Sequence, residues 1–273
     1  MRIHLLAESS PNPVLTAVMA ELAREHQVAV HDAGTLPTGY GRGPGLLEPP
    51  DVVLLKSRTP QARRVAQTAE RAGSLVVNPP AATSVALDRA ATADALERAG
   101  VPAPRSWSVH ALRDLAVGAT GRPWPLVVKS RISSKRDLVR LVADRQQLDD
   151  LLPVWGDEPV VAQEFAPNDG FDIKFWVIGD DLSAARRRSA LESLDKNSDE
   201  MLDPADLPHD WVRAARDAGA ALGLQLYGAD LLITDGRPLV VDVNPFPGFR
   251  GAHGPAESLL RFLSTVRARA ASA

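Results

Sequence analysis

The stretch VVDVNPFPGFRG, residues 240–251, decides how the chain reads. It has the composition of a strand, yet Asp242 and Asn244 interrupt it two positions apart and a Pro/Gly-rich turn follows. Side chains alternate along a strand, so Asp242 and Asn244 share one face while Val241 and Val243 take the other. Upstream, YGADLLIT (227–234), DGR and PLVVDVN (238–244) read as a hairpin with Asp230 on the partner strand. A two-residue loop at Asp235–Gly236 would set Asp230 opposite Val241, pointing away from Asp242. A three-residue loop, or a compensating bulge, sets Asp230 opposite Asp242 on one face. Two opposed carboxylates destabilise a bare sheet but suit a hard divalent cation, with Asn244 adding a neutral oxygen. The plain alternative is a sheet-edge Asp and an Asn cap before Pro245.

Outward from this hairpin the chain shows two rhythms. Residues 1–80 alternate: strands at 2–7, 27–33, 51–57 and 74–78, with helices at 12–25 and 59–73, predict a small parallel α/β unit. A helix is expected at about 83–99, ended by Gly100. From 125 onward, strands at 125–130, 136–142, 159–165, 171–180 and 182–190 have few helices between them, mainly 145–152, which is an antiparallel α+β pattern. The polar segment 192–208 reads as a mobile loop, and helices are expected at 209–222 and 255–270.

Several cations sit where apolar strands end. Lys56 closes DVVLLK, Lys129 closes PLVVK, and Lys174 lies within DIKFWVIGD. In ARRRSA, strand alternation puts Arg186 and Arg188 on one face and Arg187 on the other. Snorkelling to solvent accounts for any one of these lysines, but several together suggest a site that neutralises phosphates. No G-x-x-x-x-G-K-[ST] or G-x-G-x-x-G loop is present, and the histidines suggest no triad.

The 273 residues can bury a large core without covalent help, and no cysteine is present. A formal net charge of −3 gives no bulk attraction to nucleic acid or anionic membrane. The start MRIHLLAESS is too quickly polar for a signal peptide, and no apolar run of membrane-spanning length occurs, so a cytoplasmic setting is expected. Oligomeric state leaves no mark in the sequence.

The ordered segments NPPAATSVALDRAATADALERAGVPAPRSW, PLVVKS, VVAQEFAPNDGFDIKFWVIGD, RRRSA and GLQLYGADLLITDGRPLVVDVNPFPGFRG, over roughly residues 75–265, resemble the ATP-grasp superfamily. The resemblance implies mixed α/β and α+β architecture. A Rossmann-like preceding domain would span 1–80, a lid subdomain with its linker helix 81–165, and a C-terminal subdomain with the metal site 166–273. It implies that Lys129 contacts the α- and β-phosphates of ATP, with Arg89, Ser133 and Lys135 as further nucleotide contacts. Gln163, Glu164 and Phe165 would form the adenine hinge. Asp230, Asp242 and Asn244 would hold Mg²⁺, and Lys174 and Arg188 would face the γ-phosphate and the acceptor. Lys56, Arg186 and Arg250 would lie toward the substrate, a small-molecule or peptide acceptor.

Two branches are close: the glutamate and lysine-biosynthesis ligases, which make amides through an acyl phosphate, and the inositol trisphosphate kinases, which resemble LDR, LYGAD and DVNPFPGF. The chain departs from both. SRISSKRD (130–137) has neither the glycines of a ligase lid nor the histidine of the kinases, and Arg250 stands where an acidic residue is common. As the commonest chemistry of the resembled superfamily, an Mg-ATP-dependent carboxylate–amine ligase is the expected activity. An inositol-phosphate or polyol kinase is the alternative, and an inactive ATP-binding regulatory protein a further one.

Overall fold

The computed structural model describes residues 1–8, 13–36, 39–41, 45–117, 123–134, 137–189, 191 and 199–271. The N-terminal sheet is formed by β1 (Arg2–Ala7), β2 (Gln27–Asp32), β3 (Val52–Leu55) and β4 (Leu75–Val77), with α1 (Pro13–Leu22) and α2 (Pro60–Arg71) as crossovers. All its pairings are parallel, in the order β2-β1-β3-β4. β3 is buried at every position, as a central strand covered on both faces should be. Thr59 caps α2 by accepting from the amide of Ala62, with Pro60 at the first helical position.

The single helix expected at 83–99 is instead two, α3 (Pro80–Leu87) and α4 (Arg89–Arg98). Asp88 breaks it: its backbone is extended, and its carboxylate caps α4 by accepting from the amides of Ala90 and Ala91. The same carboxylate takes a forked contact from Arg131 at 2.8–3.0 Å.

A four-stranded antiparallel sheet follows, built from β5 (Ser106–Val109), β6 (Leu126–Ser130), β7 (Val139–Val142) and β8 (Val160–Glu164) in the order β5-β8-β6-β7. One face packs Leu126, Val128, Val160 and Ala162 against α5 (Leu112–Val117) and α6 (Arg145–Trp155). Strand alternation leaves Val127, Lys129, Val161 and Gln163 on the other face.

The third sheet is antiparallel, in the order β11-β10-β9-β12-β13, from β9 (Phe171–Ile178), β10 (Asp181–Arg188), β11 (Glu200–Leu202), β12 (Leu226–Thr234) and β13 (Arg237–Pro245). Of the segment 192–208 read as a mobile loop, residues 192–198 lie outside the described residues, while β11 and a 3-10 turn at Pro204–Asp206 occupy the rest. Pairing with β10 orders a stretch that local propensity alone does not. One face of this sheet buries Ile173, Phe175, Val177, Ala229 and Val243 against α3, α4 and α7 (His209–Leu222). The opposite face is apolar at one end, where Trp176, Ile178 and Leu226 share a core with Ile3, Leu5, α1 and α8 (Pro255–Ala271). At its other end the same face carries charge. Among the described residues no helix is long and apolar enough to cross a membrane.

Candidate functional site

The β12–β13 loop is the two-residue one: Thr234 pairs with Arg237, and Asp235 and Gly236 both take positive φ, as a type I′ turn requires. Left uncorrected, that register would turn Asp230 away from Asp242. The ladder shifts between Asp230 and Leu231, so that Leu231 pairs with Val240 while Asp230 pairs with Asp242, and Val241 is bulged out. Of the two devices that could align the carboxylates, the chain uses the bulge. The carbonyl of Val241 accepts a 2.9 Å hydrogen bond from Lys129 Nζ, which reaches across from β6.

Asp230 is buried and neutralised from two sides, by Lys174 Nζ at 2.6 Å and Arg187 Nη2 at 2.9 Å. The contact to Lys174 is an ion pair without hydrogen-bond alignment. Gly228 makes room for it, since a Cβ there would lie 2.9 Å from Lys174 Nζ. Asp242 accepts from Asn244 Nδ2 at 2.7 Å, and Asn244 Oδ1 accepts in turn from Arg58 at 3.2 Å. Arg89 bridges the two sheets. Its Nη1 donates to the carbonyl of Ser130 at 2.7 Å and pairs with Asp137, while its Nε is buried without a hydrogen-bond partner, 3.9 Å from Asp242 Oδ1.

Burial lowers the Lys129 ammonium to about 8, with Asp242 opposing the shift. Burial and neighbouring Asp230 raise Asp172 to about 6. Burial alone would raise Asp242, but Arg89, Lys129 and Lys174 outweigh it and hold the group below the ordinary carboxylate range.

The expectation that Asp230, Asp242 and Asn244 would present oxygens to one cation needs correcting at Asp230, whose oxygens are engaged by Lys174 and Arg187, and at Asn244, whose Oδ1 accepts from Arg58. Among the described residues no group of three or more histidine, cysteine or acidic side chains is arranged to hold a metal ion. Lys174, expected to face the γ-phosphate, is 5 % exposed and held by Asp230. Arg188 and Arg186 lie against Phe171, Arg186 also pairing with Asp169, and it is Arg187 that reaches Asp230. In the expected adenine hinge, the amides of Glu164 and Phe165 donate to the carbonyls of Arg105 and Pro125, and Gln163 Nε2 donates to Ser106. Any adenine contact there falls to other atoms.

Ser133 accepts from Arg58 at 3.3 Å, and Lys56 donates to the carbonyl of Phe246 at 2.9 Å. Arg250 is exposed beyond β13, and Lys135 lies outside the described residues. Arg187, Asp172, Asp137 and Gly228 were not singled out in the sequence. Strand parity would have found Arg187 and Asp172, which pair directly across β9 and β10. A cavity of about 600 Å³ opens onto this cluster, lined by Arg89, Gln163, Val241 and Asp242 together with α4 and the 100–107 connection. Its size and mixed lining suit a small-molecule ligand.

Two antiparallel sheets facing across a charged cleft, behind a parallel N-terminal sheet, make an ATP-grasp fold. The sequence matches the model described as RimK-like ATP-grasp domain over residues 86–255, and the chain belongs to that family. It is 28% identical over 191 residues to a probable alpha-L-glutamate ligase of Shewanella loihica. That match takes in 67% of this chain and 63% of the relative, so the chain spans somewhat less than two thirds of that relative's length. The RimK domain ATP-grasp protein from Sphaerobacter thermophilus superposes with a TM-score of 0.74 at 22% identity, covering 96% of this chain and 99% of the other. D-alanine–D-alanine ligase from Bacillus anthracis superposes with a TM-score of 0.73 at 19% identity, covering all of both chains. Both structural likenesses are of fold.

Proposed function

We propose that the protein is an ATP-dependent carboxylate–amine ligase acting on a small-molecule or peptide acceptor. The observation that carries this reading is the bulge-corrected pairing of Asp230 with Asp242 beside Asn244, at the edge of a nucleotide-sized cavity and within reach of Lys129. The names of a glutamate ligase relative and of a D-alanine–D-alanine ligase of the same fold support it.

In this reading, Lys129 and Arg89 bind the ATP phosphates, and the buried Nε of Arg89, near Asp242 but without a hydrogen-bond partner, is a donor prepared for an anionic ligand. Asp242 would hold Mg²⁺, joined by Asn244 Oδ1 where Arg58 gives up that oxygen, with Asp230 behind them supporting the cations Lys174 and Arg187. Mg²⁺ would supply charge compensation for the phosphate oxygens. Lys174 and Arg187 pair with Asp230 behind the site, and Lys129 and Arg89 supply the positive charge that meets the phosphates, a task of positioning and electrostatics. ATP gives its γ-phosphoryl to a carboxylate oxygen and leaves as ADP. An amine then attacks the acyl carbon, loses a proton and releases phosphate. Residues 1–80 form the preceding domain, 81–165 the lid subdomain and 166–273 the metal-bearing subdomain.

Phosphorus NMR of the protein with Mg-ATP and a panel of carboxylates, amines and polyols tests the reading. A ligase yields ADP with free phosphate. Phosphorus retained on a polyol would replace this reading with a kinase, and ATP binding without ADP formation would replace it with a regulatory role.

A further inference from the structure

We propose that Arg58 binds the carboxylate of the acceptor and sets the enzyme's preference for an anionic substrate. The proposal rests on the ligase reading of the same cleft.

Arg58 comes from neither jaw of the cleft. It stands between β3 and α2, and its backbone is fixed on each side. Its carbonyl accepts from Arg63 Nη1 at 2.5 Å, and Thr59 beside it caps α2. Its guanidinium extends to the charged cluster, where Nη2 donates to Asn244 Oδ1 at 3.2 Å and Nη1 to Ser133 Oγ at 3.3 Å. Other guanidinium groups nearby have carboxylate partners: Arg187 has Asp230, Arg89 has Asp137 and Arg131 has Asp88. Among the described residues, Arg58 makes hydrogen bonds to neutral oxygens only, both longer than a charge-assisted contact of about 2.8 Å. A guanidinium carries five donors in a planar fork matched to a carboxylate, so it retains capacity for an oxyanion. The N-terminal end of α2, directly after Arg58, adds positive potential.

Position separates this cation from those expected at the nucleotide. Lys129 meets β13 at Val241, the paired carboxylates meet it at Asp242, and Arg58 meets it at Asn244. The three points follow one another along a strand over about 10 Å. A nucleotide whose phosphates are anchored at Lys129 and whose γ-phosphoryl lies by Asp242 therefore has Arg58 on its far side. That is where the carboxylate oxygen must approach.

The test is calorimetric titration of L-glutamate, as a carboxylate probe, into protein loaded with Mg-AMPPNP. In Arg58→Ala the L-glutamate affinity should fall about 30-fold, and in Arg58→Lys about 5-fold, with AMPPNP affinity within about threefold of wild type in both. Melting temperature and circular dichroism establish that each variant is folded, and the lysine variant keeps the charge should the alanine variant unfold. Unchanged L-glutamate affinity in Arg58→Ala overturns the proposal, as does the absence of L-glutamate binding to nucleotide-loaded wild type. A loss in AMPPNP affinity instead moves Arg58 to the phosphates and also overturns it. Wild type that fails to bind AMPPNP refutes the ligase reading itself, a result visible in the first titration.

Discussion

Lys129 Nζ lies 2.9 Å from the carbonyl of Val241, the residue whose bulge brings Asp230 and Asp242 into register. The irregularity that aligns the carboxylates thus also supplies the acceptor that orients a buried lysine from the opposite sheet. In Lys129→Met the charge is gone and its packing largely kept. AMPPNP binding should weaken by about 100-fold, while the melting temperature at pH 7 equals or exceeds that of wild type. Because the folded lysine titrates near 8 and an unfolded one near 10.5, its burial penalty is complete below pH 8 and relieved as pH rises to 10.5. Wild type should therefore gain stability across that window and the methionine variant should not. Parallel pH profiles would count against it.

Gly228→Ala should leave the fold intact and cut turnover. The added Cβ meets Lys174 at 2.9–3.0 Å, at the end of a flexible chain that can swing aside only by leaving Asp230. The melting temperature should shift by a few degrees while kcat falls at least about tenfold, close to the loss in Lys174→Ala. An alanine variant with wild-type kcat would show that the ion pair is dispensable.

Asp242→Ala should abolish magnesium-dependent turnover. It removes a candidate ligand and leaves Asn244 Nδ2 without its acceptor. Turnover with an unchanged magnesium profile would place the metal elsewhere.

Asp88 serves both as the cap of α4 and as the partner of Arg131. Asp88→Asn keeps a capping oxygen and loses the ion pair, whereas Asp88→Ala loses both. Because Arg131 is 37% exposed, the ion pair should contribute little, and the larger loss, about 1 kcal/mol, should come with the cap. Chemical denaturation of the two variants separates the parts.

The N-terminal sheet should soften in acid. His4 Nδ1 lies 3.0 Å from the Tyr40 hydroxyl and 3.2 Å from His31 Nε2, and burial with His31 beside it lowers His4 to about 4. An unfolded histidine takes up its proton near 6.5, so stability should fall as pH drops from 6.5 toward 4. His31, lowered by burial, adds to the same slope. Melting curves of His4→Gln should show a shallower decline than wild type.

The strands that carry the chemistry were legible because each has a simple period. Asp242 and Asn244 on one face, Asp230 opposite, and the choice between a longer loop and a bulge could all be written from parity and turn length. Parity was also available for Arg187, which faces the cluster while Arg186 and Arg188 face Phe171. What the sequence hid was compensation. Nothing local to YGAD indicates that Asp230 pairs with Lys174 and Arg187, because those partners arrive from two other strands. The break at Asp88 was missed for a similar reason: the residues on either side are good helix formers, and the stop depends on capping geometry and on Arg131, far along the chain. β11 escaped notice because an edge strand in polar sequence owes its shape to its neighbour.

Phe246 and Phe249, in left-handed backbone conformations beyond β13, insert into the core that Ile3, Leu5 and Leu54 share with Trp176 and Leu226. Asn78 stitches the same junction, donating to the carbonyl of Leu226 and accepting from the amides of Gln225 and Leu226. The parallel sheet and the five-stranded sheet are thereby welded into one anvil. The four-stranded sheet keeps its own separate core, around Leu112, Leu126 and Leu148. Its ties to the anvil near the cleft are polar, at Arg131 with Asp88, Lys129 with Val241, Arg89 with Ser130 and Arg58 with Ser133. One wall of the cleft is thus attached by polar contacts and the other by a shared core, and it is the core-bound wall that carries Arg58, Asp242 and Asn244.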